Sequence, residues 1–392
     1  MPWEETCAMD QKVQLISDWL KNDYTIEELS QGYGISRKTI YKWIERYKLS
    51  GNLEELSRAP LHHPNATDPE IVNMLIETKL KHKNWGPRKI VARLERDYPD
   101  SPWPAASTAG SILKREGLVK SRLLRRHTPP YTDPFRECVV PNDIWSIDYK
   151  GQFRMGNGRL CYPLTISDNY SRYLLSCQGL YKPTFEKTQP WLERAFREYG
   201  LPLAMRNDNG PPFASVALGG ISALSVWLIK LRIRPERIQP GHPEQNGRHE
   251  RMHRTLKEET VAPPKINMAA QQRAFDGFRR EYNAIRPHES LQMDVPASFY
   301  CTSRRIMPER LPKVEYDPWY TVRQVRSNGY IKWKGEYVFI SEAVVGEPVG
   351  LRQISEREWE VRFSFYPLGI LDEQTGKVRP FKDKKVLPMS PV

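Results

Sequence analysis

Residues 144–153, Ile-Trp-Ser-Ile-Asp-Tyr-Lys-Gly-Gln-Phe, read as a β-strand with an aspartate in its middle. A carboxylate inside an apolar strand is expensive to desolvate unless a counter-charge meets it. A bound metal ion supplies such a charge, so Asp148 limits the fold to one that can bring a cation to a sheet. Two further carboxylates have comparable settings. Asp208 ends the short strand 204–208 beside the turn signal Asn209-Gly210, and Glu250 lies one turn into a helix that begins near Gln245. Convergence of the three at one sheet edge, with one carboxylate shared by two ions and with water and phosphate in the remaining positions, is how proteins bind Mg²⁺.

The surrounding pattern supplies the sheet. Strands are expected at 162–168 and 173–180, joined by the turn Asn169-Tyr-Ser-Arg172, and an amphipathic helix at 184–199. Residues 233–238 form a fifth strand, which Pro235 makes short or an edge. Three strands, helix, strand, strand, helix is the order of a ribonuclease-H-like α/β domain, here assigned to 141–300. Asp168 is expected to cap the turn that follows it rather than to bind metal.

Sixty Lys and Arg against 47 Asp and Glu give a net charge of +13, for which nucleic acid is the default partner. A hydrophobic share of 39% excludes wholesale disorder. The five cysteines are scattered without C-x-x-C spacing, so neither a disulfide framework nor a zinc knuckle is expected. No apolar run approaches the ~18 residues of a membrane span, and the polar start is no signal peptide. A cytoplasmic, nucleoid-associated protein with no membrane contact is the expectation.

Helical periodicity dominates the N-terminal third. Val13, Leu15, Ile16, Trp19 and Leu20 mark one helix, and Thr25-Ile-Glu-Glu28 is a capping box opening a second through Tyr33. Gly34-Ile35 turns the chain, and Ser36 caps a basic helix from Arg37 to Leu49. This is the helix-turn-helix design, assigned to 1–58, in which Ser36, Arg37, Lys38, Thr39 and Lys42 face DNA. A second unit of helix-turn-helix or winged-helix type is expected at 66–122, with helices opened by Asp68-Pro69 and Gly86-Pro87 and a third from Ser107 to Glu116. Arg125 and Arg126 fall in a proline-marked linker, 123–140, and are expected to meet phosphate. Residues 318–382 are rich in strand formers with hairpin turns at Asn328-Gly329 and Lys334-Gly335, which suggests a small closed β-barrel for DNA or subunit contacts.

Several motifs carry a family likeness. Trp145-x-x-Asp148, Arg206-Asn-Asp208-Asn-Gly210-Pro-Pro-Phe213 and Gly241-His-Pro-Glu-Gln-Asn-Gly247-Arg-His-Glu250-Arg closely resemble the catalytic core of retroviral integrases and of DDE-type bacterial insertion-sequence transposases. Thr255-Leu-Lys257 and Tyr282-Asn283-x-x-Arg286-Pro-His288 extend the likeness. It implies Asp148, Asp208 and Glu250 as the catalytic, metal-binding triad, two Mg²⁺ ions replaceable by Mn²⁺, and cleavage and joining of DNA. It implies as partners the element's terminal repeats, target DNA and a second or further copy of the chain. A regulatory or architectural DNA-binding protein derived from a transposase is the alternative. The 41 residues between Asp208 and Glu250 exceed the family's usual spacing, and the surplus is placed at 216–224, before a helix holding Trp227. Glu244 is a rival third carboxylate. Arg254 and Lys257, on the face of Glu250, are candidates for DNA phosphate. His249-Glu250-Arg-Met-His253 spells H-E-x-x-H, but a zinc protease leaves Asp148 and Asp208 without a role. Tyr282, Arg286 and His288 brace the core or touch DNA.

Overall fold

The computed structural model describes residues 7–55, 66–119, 138–207, 213, 221–238 and 247–380. It divides into two compact units, 1–66 and 67–392.

In the first unit the local signals act as expected. Helices α1 (Ala8–Lys21), α2 (Ile26–Tyr33) and α3 (Arg37–Ser50) enclose Leu15, Ile16, Leu29, Ile40, Trp43 and Ile44. The Thr25–Glu28 box closes α2 reciprocally, with Thr25 N donating to Glu28 Oε2 at 2.8 Å and Glu28 N to Thr25 Oγ1 at 3.3 Å. Gly34 ends α2 at φ 64°, a left-handed conformation that lets the chain reverse within two residues. Ser36 Oγ then accepts from Thr39 N and starts α3.

The second unit begins with three more helices, α4 (Pro69–Lys81), α5 (Pro87–Asp97) and α6 (Ala106–Arg115), packed around Leu75, Trp85, Ile90 and Leu113. They are fastened to the rest of the unit. Ile285 joins their apolar cluster, His82 Nδ1 lies 2.8 Å from Glu281 Oε1, and Arg96 pairs with Asp294 at 2.8 Å.

The central sheet comprises β1 (Ile144–Tyr149), β2 (Phe153–Arg154), β3 (Leu160–Asp168), β4 (Leu174–Leu180), then after α7 (Phe185–Tyr199) β5 (Ala204–Asn207), and after α8 (Ala223–Lys230) β6 (Arg234–Arg237). Its order is β4-β3-β1-β5-β6, with β4, β3 and β1 antiparallel and β1, β5 and β6 parallel. Pro235 sits on edge strand β6, as its missing N–H requires. The strand expected to run to Phe153 breaks at Gly151 (φ 71°); β2 resumes β1's lane along β3 with one extra residue, pairing Phe153 rather than Gln152 with Cys161.

Alternation along the strands sorts the two faces. Trp145, Ile147, Leu164 and Ile166 point into a core with Leu192 and Phe196 of α7 and Trp227 and Leu228 of α8. The opposite face is covered by α9 (Gly247–Leu256), a π-helical turn (Lys257–Val261) and α10 (Met268–Ala284), through Met252, Leu256, Phe275, Phe278 and Tyr282.

The C-terminal segment corrects one expectation. Strands β7 (Thr321–Gln324), β10 (Pro348–Gln353), β11 (Glu358–Phe363), β12 (Tyr366–Asp372) and β13 (Lys377–Arg379) form an antiparallel sheet in the order β13-β12-β11-β10-β7, while β8 (Tyr330–Trp333) and β9 (Glu336–Phe339) form a separate hairpin. Among the described residues no ladder joins the two edges, so the sheets are not closed into a barrel. The apolar face has another cover: Ile221, Val226 and Ile229, in and before α8, join Val325, Val349, Leu351, Val361 and Phe363 in one cluster, and Lys230 pairs with Glu347 at 2.6 Å.

Candidate active site

The even positions of β1 and the odd positions of β3 point away from the α7 core. Asp148 pairs in register with Thr165, and Thr165 and Ser167 follow each other on the same face. Against this face α9 sets His249 and His253, four residues apart and therefore stacked on one helix side. Both rings are buried, and together with Asp148 their ligand atoms lie within 4.8 Å of one another.

Thr165 Oγ1 is the hub. It lies 2.7 Å from His249 Nε2, 2.6 Å from His253 Nε2 and 3.2 Å from the Asp148 carbonyl oxygen. A hydroxyl has one proton and two lone pairs. All three contacts are satisfied when Thr165 donates to the carbonyl and each imidazole donates its Nε2–H to Thr165. Ser167 Oγ, 3.0 Å from His249 Nδ1, then donates to that nitrogen. His253 Nδ1 is left as an acceptor, 3.7 Å from Asp148 Oδ2. Burial holds the His249 pKa down to about 3; burial, then His249 and Lys150, hold that of His253 well below the usual range. The His253–Asp148 contact is thus a carboxylate beside a neutral imidazole, not an ion pair.

Glu250 is exposed on α9, about 100° round the helix from His249, and the cluster around Asp148 does not include it among the described residues. Asp208 and Glu244 lie outside the described residues, as do Arg125 and Arg126; β5 ends at Asn207, beside β1. Arg254 is exposed one turn beyond Glu250. Lys257 is exposed too and opens the π-helical turn, where the Thr260 hydroxyl bonds the Leu256 carbonyl. In the first unit Ser36, Arg37, Lys38 and Lys42 are exposed and Thr39 half-buried.

The flanking motifs brace the core. Arg286 pairs with Glu259 at 2.6 Å, and the His288 ring meets the buried Tyr282 ring edge-on at 4.6 Å. Asp168 caps its turn, accepting from Ser171 N and Oγ and from Asn142 N. Sequence reasoning missed Thr165 and the inward face of the two histidines. Their signal was present: the i, i+4 spacing that suggests a zinc motif also places both rings toward a sheet.

Comparison with known proteins agrees with this architecture. Integrase core domain families match residues 139–243 and 231–296, a helix-turn-helix domain family matches 11–60, and a homeodomain-like family matches 39–113. The chain is 27% identical over 260 residues to the insertion element IS407 uncharacterized 31.7 kDa protein of Burkholderia multivorans, covering 64% of this chain and 88% of that one. It is 27% identical over 278 residues to the IS476 uncharacterized 39.2 kDa protein of Xanthomonas euvesicatoria, covering 68% and 77%. Among solved structures, a chain of the simian T-cell lymphotropic virus intasome aligns at 19% identity and TM-score 0.38, over 74% of this chain and 92% of that chain. The HTLV-2 integrase catalytic core solved with magnesium aligns at 16% identity and TM-score 0.32, over 42% and 97%.

By its family-model matches the chain carries N-terminal helix-turn-helix regions and a central integrase core domain. More narrowly, the chain is similar to uncharacterized proteins of the insertion elements IS407 and IS476.

Proposed function

We propose that the chain is a transposase that binds the ends of a mobile DNA element, cleaves at the 3′ ends and joins them to target DNA, with Asp148, Asp208 and Glu250 as the catalytic and metal-binding triad. The observation that carries this reading is the position of Asp148, in the middle of a sheet within an integrase core domain, on the face that α9 covers. The Asp148 carboxylate, partly buried on that face, is the hard oxygen ligand that a Mg²⁺ site uses, and Asp208 and Glu250 would add two more of the same kind. When bound, two Mg²⁺ ions would lower the pKa of the attacking oxygen and stabilise the leaving oxygen. Each step is an in-line displacement in which water, and then the freed 3′-OH, attacks phosphorus and the P–O3′ bond breaks. The protein's own groups position the strand: Arg254 and Lys257 extend from the Glu250 helix toward phosphate, while Ser36, Arg37, Lys38, Thr39 and Lys42 read the element's end and Arg125 and Arg126 meet its backbone. The chain works as a dimer or larger assembly on DNA.

The test uses purified protein with duplexes carrying the element's ends. Asp148→Asn, Asp208→Asn and Glu250→Gln each abolish cleavage and joining while end binding persists. Excess chelator stops cleavage, Mg²⁺ or Mn²⁺ restores it, and Ca²⁺ supports binding alone. Full activity in chelator, or in Glu250→Gln with loss in Glu244→Gln, overturns the mechanism or the third ligand respectively.

A further inference from the structure

One step further along β3 from Thr165, the same face of the sheet opens into a small cavity. Ser167, Asp168, Asn169 and Arg172 line it from β3 and the following turn, and Arg248 lines it from the start of α9. Its polar inventory is biased toward donors. Arg172 Nη1 and Arg248 Nη1 donate to the same oxygen, the Asn169 carbonyl, at 2.9 and 3.1 Å. Two guanidinium groups are thereby held side by side, and Arg251 is close enough to repel Arg172 as well. Among the described residues none of these three arginines forms an ion pair with a carboxylate. Asp168 also lines the cavity, and both of its oxygens are engaged by Asn142 N, Ser171 N and Ser171 Oγ.

Two independent features indicate that the cluster serves a ligand. Asn169 is only 5% exposed, its Oδ1 accepts from Ser146 Oγ at 3.0 Å, and its Nδ2 has no partner among the described residues. A buried amide donor without an acceptor carries a desolvation penalty that an incoming oxyanion removes. Arg172, moreover, adopts φ 65°, a left-handed conformation that glycine or asparagine takes more easily.

We propose that this pocket, formed by Asn169, Arg172 and Arg248, binds a backbone phosphate of the DNA strand lying across Asp148. Asn169 lies four residues beyond Thr165, just past the end of β3, so the held phosphate lies a few nucleotides along the strand from Asp148. The pocket is a clamp that fixes strand register without reading sequence. The assignment of the occupant as DNA rests on the function proposed above; the oxyanion site itself does not.

The test has two arms on the full chain. In the first, millimolar inorganic phosphate raises the thermal midpoint of the wild type, and Arg172→Gln and Arg248→Gln each lose that rise. Arg248 is exposed on α9, so its variant remains informative if Arg172→Gln does not fold. In the second, the slope of log affinity against log salt is measured on a duplex carrying an element end. Each variant lowers the slope magnitude by about one unit, the loss of one phosphate contact. Slopes equal to wild type in both variants, with no stabilisation by phosphate, overturn the pocket; cleavage by the wild type in the same preparation then leaves the proposed function standing. Phosphate stabilisation lost in both variants, in a protein that neither binds nor cuts end DNA, keeps the anion site and overturns the function and its DNA occupant.

Discussion

Thr165 is the residue on which the geometry around Asp148 depends most. Thr165→Val keeps the shape of the side chain but removes the one oxygen to which two buried imidazoles donate. Leaving those donors unpaired is expected to cost about 1–3 kcal/mol in chemical denaturation, with strand transfer falling further than end binding, since DNA recognition resides in other elements. Thr165→Ser restores both. A stability at wild-type level in Thr165→Val, with cleavage intact, means the hub is dispensable. Titration offers a second test at this scale. Burial, reinforced by Lys89, holds His288 neutral down to about pH 3. A histidine whose folded pKa is depressed contributes stability that is complete above its unfolded pKa of about 6.5 and is lost as pH falls below it, down toward the folded value. Stability should therefore decline by up to roughly 1.4 kcal/mol per pH unit for this one group between about pH 6 and pH 4. His288→Gln flattens that part of the profile, and an unchanged slope counts against the assignment. Asp148 was legible because a lone acid in an apolar strand is conspicuous. Thr165 was not, since a threonine in a strand is ordinary until register sets it opposite a particular residue.

Helix boundaries were legible because their determinants are local. The Thr25 box, the Ser36 cap, Asp68-Pro69 and Gly86-Pro87 each act within one turn, and the structure opens α2, α3, α4 and α5 at those residues. Closure of the C-terminal sheet was not legible, because hairpin turns specify neighbouring strands and say nothing of whether the two edge strands meet. There the sheet covers its apolar face with α8. The surplus between Asp208 and Glu250 gains a reason from this. Ile221 and α8, within that longer interval, form the contact with the C-terminal strands. The break at Gly151 did carry a local signal, since an isolated glycine inside a strand run marks a bulge. At this scale α3 makes the sharpest prediction. Ser36→Ala removes the cap and costs about 0.5–2 kcal/mol of stability of the first unit. Arg37→Ala or Lys38→Ala leaves stability unchanged and weakens binding to an element end by about 1–3 kcal/mol if a base edge is read. Equal loss on random duplex reassigns those side chains to phosphate.

Over the whole molecule, the second helical unit, the catalytic sheet and the C-terminal strands are one compact body, while 1–66 is another. The contacts that make it so are specific: His82 with Glu281, Arg96 with Asp294, Lys230 with Glu347, and the apolar cluster shared with α8. Ile229→Ala, at the centre of that cluster, is expected to cost about 2–5 kcal/mol and to speed proteolysis between 300 and 320, as the C-terminal strands detach more often. Cleavage kinetics equal to wild type would show that the strands hold without it. A cluster drawn from residues 221–229 and 325–371 also orders events in time. A ribosome that has made the whole central sheet has still not made the strands that cover α8, so the nascent chain carries that apolar flank uncovered until they follow. A chain that stops before residue 325 leaves Ile221, Val226 and Ile229 without the apolar cover that the C-terminal strands give them.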